Sequence, residues 1–286
     1  MNWRPLLCEA DFEAAMPEID LLDISTIGAP GEAVDWTIEQ STAYGELVRS
    51  FGLTIAEVGY WGNLLGSDGA RRAEHVRNVR RLLQNADAMG AGCVVTLSGS
   101  FSDEGPLSAH PDNWTERAQS QVAANCEEIL LGLDLVRTSY ALEPWCNGFF
   151  HQPDSIRAFF DAHLPGEMRL HLDQMNMLSP TTYFESTAVI DRTFELLSDR
   201  IVAVHAKDLR WHPSRMFLHL DEVVPGDGVL DYHRFFTRLA ELDREIPVLT
   251  EHWEKVEDYH RSFAYLRSVA ADRGAAWVTR RCPPSR

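Results

Sequence analysis

The chain has 286 residues, of which 43 are acidic and 26 are basic, giving a formal net charge of −17 at pH 7. With 45% hydrophobic and 24% charged residues it falls among folded globular proteins rather than disordered or fibrous ones. An acidic surface repels nucleic-acid phosphates and anionic lipids, so the composition argues against nucleic-acid and membrane partners. The one basic stretch, RRAEHVRNVRR (71–81), has the apolar spacing of a solvated helix.

The sequence also bears on the compartment. It contains no apolar run of the roughly 18 residues that a membrane helix needs, and its N-terminus lacks the features of a signal peptide. The five cysteines are scattered and form no CxxC pair, which predicts reduced thiols rather than disulfides or a thiolate zinc site. We therefore expect a cytoplasmic protein.

Apolar runs of strand length alternate with amphipathic stretches of helix length along the whole chain. The predicted strands cover 19–27, 54–60, 93–100, 139–145, 168–174, 201–209 and 247–253. A helical pattern follows each of these strands. Such an alternation predicts βαβ units and a parallel sheet.

The length and the repeat favour a (β/α)₈ TIM barrel, an α/β fold. A strand before Ile19 is weak or missing, reduced to WRPLL (3–7). The alternative is a doubly wound sheet, but IGAPGEA (27–33) does not match the glycine-rich phosphate turn of that fold. No linker interrupts the pattern, so we expect a single domain over 1–286, clearest over 19–270.

Four consecutive predicted strands end on residues that can bind metal: Glu143, Asp173, His205 and Glu251. Taken singly, each has a structural explanation, such as a helix cap, a core histidine or an ion pair with arginine. In a parallel barrel, however, the carboxyl ends of the strands converge on the active site. Three carboxylates in one mouth repel one another unless protons or a cation compensate them. The pattern therefore predicts a site for one divalent metal.

The predicted ligand set consists of three carboxylate oxygens and one imidazole nitrogen. Oxygen-rich sites suit hard cations, so Mn²⁺ is our first choice, with Mg²⁺ or Co²⁺ as alternatives. Zinc is less favoured, because it prefers thiolates or more histidines.

The motifs LEPW, HLDQMN, VHAKD, GDGVLD and VLTEHW occur in this order between 142 and 253. In order and spacing they resemble the sugar phosphate isomerase/epimerase superfamily, the xylose isomerase-like TIM barrels. The resemblance implies that Glu143, Asp173, His205 and Glu251 hold a metal and that the substrate is a small carbohydrate. It further implies that Glu143 and Glu251 are catalytic, one removing a proton next to a carbonyl and the other returning it.

Three positions depart from the pattern of the superfamily. Asn176 stands where members commonly have a histidine, and Phe149 stands where ketose epimerases have a glutamate. Arg210 follows the metal histidine at a shorter spacing than the arginine of those epimerases. We expect Asn176 and Arg210 to contact substrate, but the departures count against strict ketose 3-epimerase chemistry. Endonuclease IV, a nucleic-acid enzyme of the same fold, is disfavoured by Asn176 and by the acidic chain.

Other residues near the strand ends are candidates for substrate binding. Lys207 shares the inward face with His205 by strand alternation, so it contacts either substrate or a neighbouring carboxylate. His219 lies in a long segment after VHAKD, and two interpretations are open for it. Either His219 contacts substrate, or HLDEVV (219–224) forms a short pairing strand. Trp145 either stacks on a sugar or packs in the core. Asp231 is a predicted helix N-cap.

These features predict a metal-dependent isomerase or epimerase acting on a sugar, keto-sugar or cyclitol. The first alternative is a lyase of the inosose dehydratase or 3-keto-glycoside-cleaving kind, which the missing glutamate and the loop WCNGFFHQ (145–152) favour. The second alternative is a non-catalytic sugar-binding barrel. Whether the chain forms a homo-oligomer is left open.

Overall fold

The computed structural model describes residues 5–163, 168–217 and 219–280. The helices are α1 (Glu9–Leu21), α2 (Ile38–Ser50), α3 (Gly69–Met89), α4 (Glu116–Leu130), α5 (Pro153–His163), α6 (Ser186–Leu197), α7 (Tyr232–Ala240) and α8 (Val256–Asp272). The strands are β1 (Thr26–Ala29), β2 (Thr54–Tyr60), β3 (Cys93–Leu97), β4 (Ser139–Glu143), β5 (Arg169–Asp173), β6 (Ile201–His205), β7 (Asp208–Trp211), β8 (Leu220–Val223) and β9 (Val248–Leu249).

Seven of these strands form one parallel sheet in the order β1-β2-β3-β4-β5-β6-β9. The sheet curls into a nearly closed barrel, and the helices pack around it, which confirms the predicted TIM-barrel fold. The other two strands, β7 and β8, pair antiparallel as a hairpin inserted after β6. None of the helices in the described ranges combines the length and apolar character that crossing a bilayer demands.

The barrel has a seam between β1 and β9, the two ends of the sheet. A cavity of about 440 Å³ lies there, lined by both strands and by Pro5, Leu6 and Trp277 among others. Residues 5–7 are not a strand, and Trp3 and Arg4 of the WRPLL segment lie outside the described residues. Within the described part of the chain, no strand precedes β1, as the weak N-terminal pattern predicted.

The prediction of a strand beginning at Ile19 was wrong. Residues 19–21 form the last turn of α1, and the first strand begins only at Thr26. Phe12 and Ile19 are both fully buried and lie seven residues apart, which places them on the same face of a helix. The sequence does not separate the two structures here, because a short apolar run such as IDLL fits a strand as well as a helix.

The predicted strand 201–209 is in fact two strands, and Asp208 stabilises the chain where the second one begins. β6 ends at His205 and β7 begins at Asp208, whose buried carboxylate accepts four backbone N–H groups, those of Leu209, Gly226, Gly228 and Leu230. These bonds close the base of the hairpin. The alternative that HLDEVV forms a pairing strand is confirmed by β8, and Asp231 caps α7 by accepting the Arg234 N–H at 2.9 Å.

Strand alternation divides the barrel residues into two sets. Tyr140 and Leu142 belong to the large apolar core, whereas Ala141 lies in a separate small cluster with Cys93 and Ala203. Because this second cluster consists of small side chains, it leaves room in the barrel for larger polar ones. The cysteines of the described residues, Cys8, Cys93, Cys126 and Cys146, are free, as predicted, and Cys282 lies outside them.

We expect Asp208→Ala to lower the free energy of unfolding by about 3 kcal/mol, because it leaves several backbone N–H groups without their charged acceptor. Urea denaturation followed by circular dichroism measures this change. Asp221→Ala is the matched control on the same hairpin, since Asp221 pairs with His219 near the surface and is expected to cost about 0.5 kcal/mol or less. Equal losses in the two variants would contradict the anchoring role of Asp208.

Candidate metal centre

The four residues predicted as ligands meet at one end of the barrel. Glu143, Asp173 and His205 are the last residues of β4, β5 and β6, and Glu251 follows β9 by two residues. The pairing of β5 with β6 skips Val202, which sets Asp173 directly beside His205. One ligand atom from each of the four side chains lies within 4.8 Å of those of the other three. The spacing therefore allows all four to contact one ion.

Lys207 lies among the carboxylates. Its ammonium nitrogen is 2.7 Å from Asp173 Oδ2, 2.7 Å from Glu251 Oε1 and 4.0 Å from Glu143 Oε1, and only 3% of the side chain is exposed. Burial alone would lower the pKa of Lys207, but Asp173, Glu251 and Glu143 together raise it well above its ordinary value. Lys207 is therefore a buried cation in ion pairs, one of the two roles predicted for it; substrate contact stays a prediction.

The two nitrogens of His205 face different groups. Nδ1 is 3.2 Å from Glu251 Oε1 and 3.4 Å from Glu143 Oε1, whereas Nε2 is 3.0 Å from Glu57 Oε1. Burial opposes a charge on this imidazole, but Glu57 and Glu143 outweigh it and hold the pKa of His205 well above its usual range. The imidazole thus presents Nδ1 to the carboxylates of the mouth and Nε2 to the barrel interior.

Hydrogen bonds orient two of the carboxylates. Asp173 Oδ1 accepts the backbone N–H groups of Met175, at 3.0 Å, and Asn176, at 3.2 Å, which turns Oδ2 toward Lys207. The Asn176 side chain donates from Nδ2 to Glu143 Oε1 at 2.8 Å, and its own Oδ1 is buried without a hydrogen-bond partner. Asn176 therefore belongs to the site, where it positions Glu143. The substrate contact predicted for Asn176 stays a prediction.

The residues fit a divalent cation by charge as well as by spacing. Glu143, Asp173 and Glu251 carry three negative charges when ionised, and two cationic groups face them: Lys207, and His205 while its Nδ1 is protonated. Uncompensated charge in a buried site is costly. A divalent ion that took the place of the proton on His205 Nδ1 would leave Lys207 alone against the three carboxylates, and its two charges would balance the remainder. Hard oxygen donors are the ligands that such ions prefer.

The family model of the xylose isomerase-like TIM barrel matches residues 18–269. The chain belongs to this family. No curated protein matches the sequence.

Solved structures of the xylose isomerase-like fold resemble the chain at low identity. A 3-keto-D-glucoside 4-epimerase, YcjR, from E. coli has 18% identity and a TM-score of 0.67, over 94% of this chain and 97% of that one. A xylose isomerase-like TIM barrel protein from Mycobacterium smegmatis in complex with magnesium has 14% identity and a TM-score of 0.69, over 94% and 90%. An L-ribulose 3-epimerase has 15% identity and a TM-score of 0.69, over 95% and 93%. At these identities the likeness establishes the fold.

Sequence analysis missed three residues of the site in this xylose isomerase-like barrel. Glu57 of β2 and His171 of β5 lie below the mouth, where Glu57 contacts both His171 and His205. His252, with φ 68°, approaches Glu251 to 3.5 Å and Glu222 of β8 to 3.1 Å. Strand alternation would have found His171, two residues before Asp173, but Glu57 lies in mid-strand and only the structure gives it a partner.

The other predicted substrate contacts lie around the mouth of the barrel. Arg210 is exposed on β7. His219, mostly exposed, pairs with Asp221 at 3.1 Å on the same hairpin. The Trp145 indole donates to the carbonyl of Leu107 at 2.9 Å, which links the loops after β3 and β4. Their contacts with a substrate stay predictions.

We expect Lys207→Met to lower the free energy of unfolding by about 3 kcal/mol in EDTA, because it leaves the carboxylates of the mouth without their buried cation. Chemical denaturation measures the loss. Lys255, the other lysine of the chain, is exposed, so Lys255→Met is the control and should leave stability unchanged. A stable Lys207→Met protein in EDTA would show that the carboxylates are compensated in another way.

Proposed function

We propose that the chain is a divalent-metal-dependent enzyme that isomerises or epimerises a sugar, keto-sugar or cyclitol by removing a proton next to a carbonyl. The observation that carries the proposal is the convergence of Glu143, Asp173, His205 and Glu251, whose ligand atoms lie within 4.8 Å of one another at one end of the barrel. A helix cap, a core histidine or an ion pair can explain each of these residues singly, but such roles do not explain why all four meet at one point.

The comparisons support the class of substrate. Structures that resemble the chain over at least nine-tenths of its length include a 3-keto-D-glucoside 4-epimerase, an L-ribulose 3-epimerase and a D-psicose 3-epimerase. These three proteins are named for epimerising carbohydrates that contain a carbonyl group. A magnesium complex of another such barrel supports a hard divalent ion. We keep Mn²⁺ as the first choice and Mg²⁺ or Co²⁺ as alternatives.

The bound ion would supply electrophilic stabilisation of the negative charge that develops on the substrate oxygen. The protein residues would hold and move the proton. Glu143 and Glu251 are the proposed catalytic pair, and they differ in access to solvent: 4% of the Glu143 side chain is exposed, against 24% of Glu251. A proton taken up by Glu251 can therefore exchange with water more readily than one taken up by Glu143.

The neighbours of the two glutamates suit these roles. Asn176 donates to Glu143 and fixes one of its oxygens. Lys207 donates to Glu251 at 2.7 Å and fixes the position of Oε1. Each glutamate thus has a neighbour that orients it and that does not compete for the substrate proton.

A lyase is the second candidate, and one observation favours it. Phe149 is buried against Phe150 and Phe159, so the position that carries a glutamate in ketose epimerases offers no group for substrate hydroxyls. A ring-closed keto-glycoside or inosose does not need a glutamate at this position to hold its hydroxyls. With a leaving group beside the acidic carbon, loss of the same proton would expel water or an aglycone.

The metal is tested by elemental analysis and by calorimetric titration of Mn²⁺ into protein stripped with EDTA. We expect about one ion per chain, and an affinity at least about tenfold lower in Glu143→Gln, because the amide is a poor substitute for a charged ligand. Glu127→Gln, an exposed site on α4, is the control. A wild-type protein that binds none of Mn²⁺, Mg²⁺ and Co²⁺ would contradict the proposal.

The reaction is tested in deuterated water with ketohexoses, 3-keto-glucosides and inososes. We expect a product of unchanged skeleton that carries solvent deuterium on the carbon next to the carbonyl, detected by mass spectrometry and NMR. Glu251→Gln should lower kcat at least about 100-fold, because it removes a proton acceptor.

The products separate the alternatives. An unsaturated sugar or a free aglycone would establish the lyase in place of the isomerase. Metal binding with no deuterium exchange in any of the three substrate classes would favour the non-catalytic sugar-binding barrel.

A further inference from the structure

Glu57 is an acidic residue in the middle of a buried strand. It belongs to β2, whose other central residues, Ile55, Ala56 and Val58, are buried and apolar, and only 11% of the Glu57 side chain is exposed. A carboxylate in such a place is costly unless hydrogen bonds satisfy it. The partners of Glu57 therefore show why the barrel tolerates it.

Both carboxylate oxygens of Glu57 are occupied by imidazoles. Oε1 lies 3.0 Å from His205 Nε2, and Oε2 contacts His171 Nε2. The rings of the two histidines are also packed together, with centroids 4.1 Å apart and planes inclined by 56°. Glu57 and His171 thus fix both the orientation and the plane of the His205 ring.

We propose that Glu57 is a positioning residue for the metal centre: it accepts the Nε2–H of His205 and so reserves the Nδ1 lone pair for the cation. The inference rests on the proposed function, since it concerns the same metal. An imidazole has one lone pair when neutral, and the nitrogen that carries the proton is decided by the hydrogen bond at the other nitrogen. His205 Nδ1 is the nitrogen that faces Glu143 and Glu251, so this tautomer is the one that can ligate.

The alternative that Glu57, His171 and His205 bind a second ion is weaker. Their ligand atoms are close enough to share an ion, but each already hydrogen-bonds another member of the cluster. An ion at His205 Nε2 and another at Nδ1 would require the imidazole to lose both protons. The count of ions per chain distinguishes the two arrangements.

Glu57→Gln keeps the size of the side chain but replaces one acceptor with an N–H₂ donor. One imidazole must then accept at Nε2 and carry its proton on Nδ1. For His171 this would place an N–H at a buried position where Nδ1 has no hydrogen-bond partner. For His205 the Nδ1–H would face Glu143 and Glu251, which accept it. The variant therefore favours the tautomer of His205 that blocks ligation.

The test is calorimetric titration of Mn²⁺ into the full-length wild type and Glu57→Gln, together with ¹⁵N–¹H spectra of the histidine rings in the Mg²⁺-loaded proteins. We expect Glu57→Gln to bind about 10- to 100-fold more weakly. We also expect the wild-type His205 to show a proton on Nε2 and none on Nδ1. Glu57→Asp, which retains the carboxylate, should recover part of the affinity.

Cys93→Ala is the packing control, because Cys93 lies in the barrel interior beside Glu57 but forms no part of its hydrogen bonds to histidine. Three outcomes would each overturn the inference. The first is equal Mn²⁺ affinity in wild type and Glu57→Gln, and the second is a loss of affinity in Cys93→Ala equal to that in Glu57→Gln. The third is a second ion that binds to wild type and not to Glu57→Gln. A wild type that binds no metal would instead overturn the proposed function.

Discussion

Repulsion among three carboxylates at the mouth of the barrel is the constraint around which this end of the molecule is built. Glu143, Asp173 and Glu251 converge because parallel strands end at the same level, and Coulomb repulsion between them grows as burial removes water. Lys207, two residues beyond His205, relieves part of that repulsion. The backbone N–H groups that bind Asp173 and the Asn176 amide that binds Glu143 relieve more. His205, whose Nδ1 faces Glu143 and Glu251, adds positive charge, and the proposed divalent ion would take the place of the proton on that nitrogen.

The barrel interior below the mouth is adapted to the same purpose. Parallel barrels commonly fill this layer with branched apolar side chains. Here Ala141, Cys93 and Ala203 are small, and the space beside them is taken by the hydrogen-bonded Glu57 and His171. A buried polar layer thus lies directly beneath the proposed ligands, and Glu57 joins His171 to His205 within it. The site extends two layers into the barrel.

Much of the fold and the upper layer of the site could be predicted from sequence, because both follow periodic patterns. The alternation of strands and helices gave the parallel barrel, and a polar residue at the end of four successive strands gave Glu143, Asp173, His205 and Glu251. The sequence predicts a strand at Ile19 where the structure has a helix, because an apolar run this short shows neither the helical nor the strand period. Glu57 was missed for a different reason: a single polar residue inside an apolar strand has no meaning until its partner, 148 residues away in the chain, is known.

The open seam has a mechanical consequence for the four proposed ligands. β9 is only two residues long, lies at an end of the sheet and pairs with β6 alone, whereas the strands that end in Glu143, Asp173 and His205 have a neighbour on each side. Glu251, two residues beyond β9, is therefore held by its side-chain contacts with Lys207, His205 and His252 rather than by a backbone ladder. Three of the proposed ligands are thus fixed by strands that are paired on both sides, whereas the fourth, Glu251, is not. Displacing Glu251 would break ion pairs but no strand pairing, so this residue can move while the strand pairing of the barrel stays intact.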